Sequence, residues 1–196
     1  MILFFDTETT GLPDFNARAR DPAQPHMAQL AAILTDDGGT VYESHNVIIK
    51  PDGWTIPKEV SDIHGITDEV AACGISEKLA AELLFAMIKK SHLIVAHNLQ
   101  FDKYIARIAL RRYEIFTDAE DEWWKQLPTF CTMKHTTELC KLPGGRGGQF
   151  KWPKLTEAYL HIFGAEFEGA HDALADVTAC KDVYFWLKNQ STKEAA

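Results

Sequence analysis

The chain has 196 residues, of which 46% are hydrophobic, and this is enough to bury one sizeable core. No apolar run reaches the length of a membrane span and no signal-peptide pattern opens the chain, so we expect a cytoplasmic protein without a membrane segment. Its net charge is −8, whereas proteins that coat long nucleic acids are usually basic, so a nucleic-acid substrate would have to be held at a small local site or through metal ions.

The hydrophobic pattern predicts three strands, followed by alternating helices and strands. The first strand, Ile2–Thr7, is an unbroken apolar run, which indicates burial on both faces. Strands Leu30–Thr35 and Val41–Ile49 flank Asp36–Gly39, which has the chemistry of a tight turn, so the three strands should form an antiparallel meander. The later predicted elements are a helix capped by Ser76 and ending at Lys90, a strand Leu93–Ala96, a helix Phe101–Tyr113, a strand Thr129–Met133, and helices Lys154–Phe163 and Asp172–Lys188.

Strands that precede alternating helices and strands are typical of an α/β fold, a mixed sheet with helices on its faces. We predict one domain, residues 1–188, followed by a short polar tail, residues 189–196. Two long loops, Pro13–Pro25 and Lys141–Lys154, interrupt the pattern, and loops of this length are often functional or mobile, although either could be an idle insertion.

Acidic residues occur near the ends of predicted elements. Asp6 and Glu8 are two positions apart on the first strand, so both side chains leave the same face. Two acids on one face of a buried strand are unfavourable unless a cation meets them, and hard oxygen ligands suit Mg²⁺ or Mn²⁺. The alternative is a frayed strand end facing water. Asp102 should lie in the first turn of a helix, where an acid also simply complements the helix dipole.

A further cluster, His171 to Asp176, stands at the start of the last predicted helix. Positions five apart in a regular helix point about 140° away from each other, so His171 and Asp176 converge only if His171 precedes the helix. The preceding Gly169 allows that, and Asp172 is then most simply a helix-start acid. Each cluster is weak alone, but together three distant elements supply acids near their ends, and one adds a histidine.

These residues resemble the three exonuclease motifs of the DnaQ-like, DEDDh superfamily. The motifs are Asp6-Thr7-Glu8-Thr9-Thr10-Gly11-Leu12, His97-Asn98-x-x-Phe101-Asp102 and His171-x4-Asp176. The family includes the proofreading subunit of bacterial replicative polymerase, and the resemblance covers nearly the whole chain. It implies a ribonuclease-H-like fold, with a five-stranded mixed sheet of three antiparallel and two parallel strands flanked by helices. It also implies a 3′→5′ exonuclease that hydrolyses the 3′ end of a single or frayed strand and releases nucleoside 5′-monophosphates.

The resemblance also assigns roles to the motif residues. Asp6, Glu8 and Asp176 would hold the first of two ions, Mg²⁺ or Mn²⁺, while Asp6 and Asp102 would serve the second. His171 would be the general base that deprotonates the attacking water. The other branch of the family carries a tyrosine four residues before the last acid, and its absence here places the chain in the histidine branch.

Weaker correspondences concern the substrate. They imply six contacts to the terminal nucleotide: Thr10, Gly11, Leu12, Glu59, His64 and Asn98. For His64 the alternative is a turn residue that bonds locally. Asn98 either orders the second motif or touches the substrate, and the sequence does not decide between the two.

Several alternatives stay open at this stage. The substrate is expected to be DNA, but an RNA-directed 3′ exonuclease fits equally well. Discrimination between DNA and RNA depends on the contacts that the protein makes with the 2′-hydroxyl. A catalytically silent binding module on the same fold would be indicated by loss of a motif acid, and all four acids are present. A polymerase or other replication or repair partner and the oligomeric state are left open.

Three further features have modest interpretations. The glycine-rich segment around Arg146 lacks the ending of a phosphate-binding P-loop and is interpreted as a flexible loop that touches the substrate through Arg146 and Lys151. The four cysteines form no C-x-x-C pair and are expected to be buried, reduced thiols. Trp123 and Trp124 are expected to pack rather than to stack on bases. With few cations outside helices, we expect only two or three phosphate contacts.

Overall fold

The computed structural model describes residues 1–170 and 172–194. Within them the strands are β1 (Ile2–Thr9), β2 (Met27–Thr35), β3 (Val41–Lys50), β4 (Ile75–Ser76), β5 (Leu93–Ala96) and β6 (Thr129–Cys131). The α-helices are α1 (Lys58–His64), α2 (Asp68–Ala71), α3 (Glu77–Lys90), α4 (Leu99–Arg112), α5 (Asp118–Gln126), α6 (Thr132–Cys140), α7 (Leu155–Phe163) and α8 (Ala173–Glu194).

The strands form one mixed sheet in the order β4-β3-β2-β1-β5-β6. β1, β2 and β3 are antiparallel neighbours, while β5 pairs parallel with β1 and β6 pairs parallel with β5. The predicted α/β fold, with three antiparallel and two parallel strands, is therefore confirmed. The structure adds β4 as a sixth strand, which pairs with Ile49 and Lys50 of β3 and is too short to leave a periodic signal in the sequence.

Different helices bury the two faces of the sheet, and β1 is covered by helices on both faces. Leu3 and Phe5 belong to the core beneath α3 and α4, whereas Ile2 and Phe4 pack with residues of α8. Side chains alternate along a strand, so the even-numbered positions of β1 all face α8. This alternation decides which helix meets the two acids that follow Phe4 on the same face.

A buried network joins α3 and α4 to the start of β2. Glu77 is only 3% exposed and has four hydrogen-bond or ion-pair partners. Its partners are Arg112 at 3.0 Å, the Tyr113 hydroxyl at 2.9 Å, the backbone amide of Met27 at 2.9 Å and His26 at 2.6 Å. A buried carboxylate requires such partners, so this network fixes the first turn of α3 against the rest of the fold.

The structure corrects several predicted elements. The strand predicted to reach Met133 ends at Cys131, and α6 begins directly after it. The helix predicted to end at Lys188 continues to Glu194, so most of the predicted tail is helical. No Gly or Pro follows Lys188 in the sequence to stop the helix. Helices α1, α2, α5 and α6 were not predicted, and the division at residue 188 stays a prediction.

Several packing expectations can also be compared with the structure. Trp124 is 1% exposed, which confirms that it packs in the core. Cys131, Cys140 and Cys180 are buried free thiols as expected, but Cys73 is exposed, so that expectation was wrong for one of the four. Among the described residues, no helix combines the length and the apolar character that crossing a membrane would need.

Candidate active site

The end of β1 places two acids on the face that α8 covers. Asp6 and Glu8 continue the alternation of Ile2 and Phe4, and Asp176 lies in the first turn of α8. One carboxylate oxygen from each of the three acids lies within 4.8 Å of the others. Residues far apart in the sequence are therefore brought together because one strand face and one helix start meet at this edge.

Asp102 reaches the same site from the other side of β1. The parallel pairing of β1 with β5 extends from Ile2 to Phe4, so the later amides of β1 need other partners on that side. Asp102, which is 3% exposed, supplies one: its Oδ1 accepts hydrogen bonds from the Thr7 amide at 3.0 Å and from the Thr7 hydroxyl at 2.9 Å. Asp102 lies in the first turn of α4, where the sequence predicts it.

Asp172 is a fifth acid close to the cluster. Its Oδ1 accepts hydrogen bonds from the amides of Leu174 at 3.0 Å and Ala175 at 3.1 Å, so it caps the N-terminus of α8. Gln29, which is buried on β2 opposite Glu8, donates to the other oxygen at 3.4 Å. The interpretation of Asp172 as a helix-start acid is confirmed, and its charge also acts on the site.

The pKa values of Asp6, Glu8 and Asp102 are raised. For Asp6 burial is the largest cause, and the negative charges of other carboxyls add to it, in the order Asp102, Asp176, Glu8 and Asp172. Burial also raises the pKa of Glu8 to about 7, and the charges of Asp176 and Asp172 contribute. Burial raises the pKa of Asp102 to about 7, although its hydrogen bonds oppose the rise. The site is a concentration of negative charge that cations would stabilise.

The donor set fits hard divalent cations. Its ligand atoms are carboxylate oxygens, which are the ligands that Mg²⁺ and Mn²⁺ prefer. Asp6, Glu8 and Asp176 are close enough to share one ion, and the pKa values of Asp6 and Glu8 are raised by burial and by neighbouring carboxylates. The residues present therefore fit divalent metal ions.

The acids line a cleft of about 480 Å³. Asp6, Glu8, Asp102 and Asp176 are on one side, and the other wall comes from the end of the 141–154 loop and the start of α7. Trp152 is part of that wall and is 59% exposed. The cleft is thus open to a ligand on a side that carries an aromatic face.

His97 anchors the far wall of the cleft. Its Nε2 donates to the carbonyl oxygen of Pro153 at 3.0 Å, and its Nδ1 lies 3.0 Å from the Thr132 hydroxyl. A carbonyl only accepts, so Nε2 carries the proton and Nδ1 accepts from Thr132. Burial lowers the pKa of His97 to about 4, which keeps the ring neutral. Since both nitrogens are engaged, His97 positions the loop and is not available as a base.

His64 lies against the end of β1. Burial lowers its pKa, and the carbonyl of Thr9 acts in the opposite direction. Its Nδ1 accepts from the Ile66 amide at 3.1 Å, which is the local bond considered as the alternative for this residue. Its Nε2 is buried and has no hydrogen-bond partner among the described residues. One nitrogen therefore has a local structural role, and the contact of His64 with the substrate stays a prediction.

The other predicted substrate contacts differ in their surroundings. Thr10 is held by His26, whose amide donates to the Thr10 hydroxyl at 2.9 Å, while Leu12 beyond Gly11 is 87% exposed. Asn98 is exposed, lines the cleft and has a left-handed backbone with a φ of 61°. Glu59 lies on the exposed first turn of α1, and no contact among the described residues links it to the cleft.

The side chains of the predicted base His171 and of the predicted substrate contact Arg146 lie outside the described residues, and Lys151 is engaged elsewhere. His171 lies outside the described residues, although α8 begins at Ala173, after this position. The side chain of Arg146 is likewise outside the description. Lys151, which was interpreted as a substrate contact, forms an ion pair with Glu157 at 2.7 Å.

Sequence reasoning gave no role to Thr7, Gln29, His97 or Trp152. Thr7 and His97 stand inside the quoted motifs, so their positions were visible but their hydrogen-bond partners were not. Gln29 and Trp152 carry no sequence signal, because their importance follows from the sheet pairing and the loop path.

Comparison with known proteins gives a consistent set of matches. The family model described as "RNase_T: Exonuclease" matches residues 3–184. A protein of Escherichia phage 186, described as "Uncharacterized exonuclease CP81", is 32% identical over 180 residues, which cover 89% of this chain and 81% of that protein.

Solved structures of E. coli Exonuclease I are also similar. Its complex with a dT13 oligonucleotide has a TM-score of 0.76 at 24% identity and covers 98% of this chain and 42% of that chain. The zinc-bound form of its complex with single-stranded DNA has a TM-score of 0.74 at 25% identity and covers 96% of this chain and 40% of that chain. The chain thus spans about two fifths of the length of these structural neighbours.

Proposed function

The chain belongs to the DnaQ-like exonuclease family with a ribonuclease-H-like fold, and from this premise we propose that it is a metal-dependent 3′→5′ exonuclease acting on single-stranded or frayed DNA. The observation that carries the proposal is the convergence of Asp6, Glu8, Asp102 and Asp176 on one open cleft. The membership agrees with the resemblance to the DnaQ-like family, while the assignment to the histidine branch stays a prediction.

The carboxylates would hold two divalent ions, Mg²⁺ or Mn²⁺. Asp6, Glu8 and Asp176 would hold one, and Asp6 with Asp102 the other. When bound, such ions supply charge neutralisation at the phosphate and a lowered pKa for water. The negative charge of the four carboxylates is then balanced by the total charge of about +4 on the two ions, so a phosphate enters without net repulsion.

The chain's own residues would orient the reaction. Thr7 fixes one oxygen of Asp102 through two hydrogen bonds, and Asp172 fixes the start of α8 and with it Asp176. His171 would accept the proton of the attacking water as general base, a role that requires its neutral form. Catalytic groups held this firmly do not have to reorganise when charge develops.

The terminal nucleotide would lie beside the end of β1. The exposed Leu12 and the open space at Gly11 suit a base, and the buried Nε2 of His64 suits a polar group of the nucleotide. Since such contacts read a free end rather than a base sequence, low sequence specificity is expected. Association with a polymerase partner stays a prediction.

The substrate is proposed to be DNA because the structural neighbour at 25% identity is described as a complex with single-stranded DNA. An RNA-directed 3′ exonuclease is the alternative, and the two differ in how the 2′-hydroxyl is met. Matched DNA and RNA strands of one sequence, each labelled at the 5′ end, separate these possibilities. We expect faster shortening of the DNA strand, and faster shortening of RNA would favour the alternative.

The same labelled strand tests the reaction itself. With Mg²⁺ or Mn²⁺ we expect a ladder that shortens from the 3′ end and nucleoside 5′-monophosphate as product, and no reaction with excess chelator. Asp6→Asn should abolish hydrolysis and leave the fold intact, while Asp182→Asn, further along α8, is the matched control and should retain activity. Full turnover in chelator would refute metal dependence, immediate release of the 5′ label would refute the polarity, and binding without hydrolysis would indicate a silent module.

A further inference from the structure

A second cleft, of about 430 Å³, adjoins the catalytic cleft. The two share Asn98, Met133 and Trp152 as lining residues, so they are continuous. Trp152 stands at the shared wall and is 59% exposed. The second cleft lies on the β5–β6 side of the acids, whereas Thr10 is held by His26 on the β2 side.

The parallel strands determine what surrounds this second cleft. β5 leads directly into α4 and β6 leads directly into α6, so both helices begin at the same edge of the sheet. Leu99 and Met133, in their first turns, line the cleft. Neither helix has a side-chain hydrogen bond at its N-cap. Helix N-termini carry partial positive charge, and two of them at one cleft favour an anion.

The side chains of the second cleft add to this charge. Lys103 and Lys134 line it, and no aspartate or glutamate does so among the described residues. Neither lysine forms an ion pair with a carboxylate in the part of the chain that the structure describes, whereas Lys125 and Lys151 both do. In a chain with a net charge of −8, this is an unusual local excess of positive charge.

Lys103 is also held in place by its surroundings. Its Nζ lies 5.0 Å from the centre of the Trp124 ring. The lysine is therefore positioned, still lacks an anionic partner among the described residues, and faces a cleft that leads to the catalytic acids.

We propose that the second cleft binds the phosphodiester backbone of the strand on the 5′ side of the scissile bond, with Lys103 and Lys134 each against a phosphate. This rests on the proposed function, because a 3′→5′ exonuclease must keep the remaining strand on the side opposite the terminal nucleotide. Thr10 bonds to His26, and Ile66 beside His64 packs with Ala28, so both lie on the β2 side of the acids. The lysines lie on the β5–β6 side, and a strand that crosses the site would pass from one side to the other. Trp152 then offers its ring to a base between the two clefts.

The test compares strands of two and ten nucleotides, bound in an Asp6→Asn background with Mg²⁺ so that they are not consumed. Each phosphate neutralised on a single strand contributes about −0.7 to the slope of log K against log salt, or about fivefold in affinity between 1 M and 0.1 M. The double variant Lys103→Ala/Lys134→Ala should therefore bind the longer strand about 25-fold more weakly at 0.1 M, with a slope shallower by about 1.4. Its preference for the longer strand should largely disappear.

Lys90→Ala is the matched control. Lys90 ends α3 just before β5 begins, at the opposite edge of the sheet, and its ion pair with Glu43 is exposed. Removing one positive charge there should leave the salt slope and the length preference unchanged, whereas each lysine of the second cleft should contribute about 0.7 to the slope. An unchanged slope in the double variant, or an equal change in Lys90→Ala, would overturn the proposal. A nitrophenyl ester of a nucleoside 5′-monophosphate measures hydrolysis in the catalytic cleft without a longer strand. If the wild-type protein does not hydrolyse this ester, the result counts against the proposed function alone.

Discussion

Replacing Asp102 by Asn should stabilise the metal-free protein at alkaline pH. Asp102 is 3% exposed, and burial raises its pKa from 3.8 to about 7. Between these values the folded protein binds a proton that the unfolded chain does not, so the free energy of unfolding falls as pH rises from about 4 through about 7. At about 1.4 kcal/mol per pH unit, an interval of roughly 3 gives an upper limit of about 4 kcal/mol for the destabilisation above pH 7.

An asparagine at this position keeps an oxygen that can accept the two hydrogen bonds from Thr7 and carries no charge. It also removes the largest charge effect on Asp6. Urea unfolding with chelator should therefore show Asp102→Asn to be more stable than the wild type by about 1 to 4 kcal/mol at pH 8, with little difference near pH 4. Divalent ions should reverse the order, because they stabilise the state with the intact ligand set.

Asp121 provides a matched control with the opposite sign. It is also a buried helical aspartate, at 6% exposed, but Arg107 holds it through two hydrogen bonds of 2.6 and 2.8 Å and lowers its pKa. A lowered pKa contributes stability above the unfolded value, so Asp121→Asn should destabilise the protein at pH 8. The reasoning is refuted if Asp102→Asn is no more stable than the wild type at pH 8 in chelator, or if its advantage persists unchanged at pH 4.

Two further predictions concern the base and the scaffold. His171→Ala should lower kcat by roughly 10²- to 10⁴-fold, while the metal affinity measured by calorimetry should be nearly unchanged. The rate of the wild type should fall as the pH becomes acidic, because the base must be neutral to accept a proton. Near-normal turnover of the variant would exclude His171 as the base. Glu77→Ala should cost about 3 to 5 kcal/mol in urea unfolding because it leaves Arg112 and Tyr113 without their buried partner, and a loss below about 1 kcal/mol would show that the network contributes little.

Local patterns predicted the elements whose boundaries are encoded locally. Ser76 accepts a hydrogen bond from the Leu79 amide and begins α3 as predicted, and β5 has the predicted bounds. The sequence also contained the cap of α5, since Thr117 and Glu120 form a capping box. The helix was not predicted because the segment was interpreted only as an acidic stretch. The segment around Phe130 resembles a strand by composition, and tertiary pairing with β5 ends that strand at Cys131.

The acids of the site could be predicted because their types and spacing are visible, whereas their partners could not. Nothing in the sequence tells that Asp102 bonds to Thr7, since that contact depends on where the pairing of β1 with β5 stops. Lys103 and Lys134 look like ordinary surface lysines of two helices. Only the parallel arrangement of β5 and β6 brings the starts of those helices, and these side chains, to one cleft.

The bond between the Thr7 amide and Asp102 gives the protein an internal spectroscopic probe. Oδ1 accepts both donors of Thr7, so a change in the charge on that carboxylate alters the electron density at one backbone N–H. The amide resonance of Thr7 in a ¹⁵N-labelled sample should therefore shift as Asp102 loses its proton and again as divalent ions are added. Occupancy of the site becomes readable at equilibrium, without substrate and without turnover, from a strand residue that lies between Asp6 and Glu8.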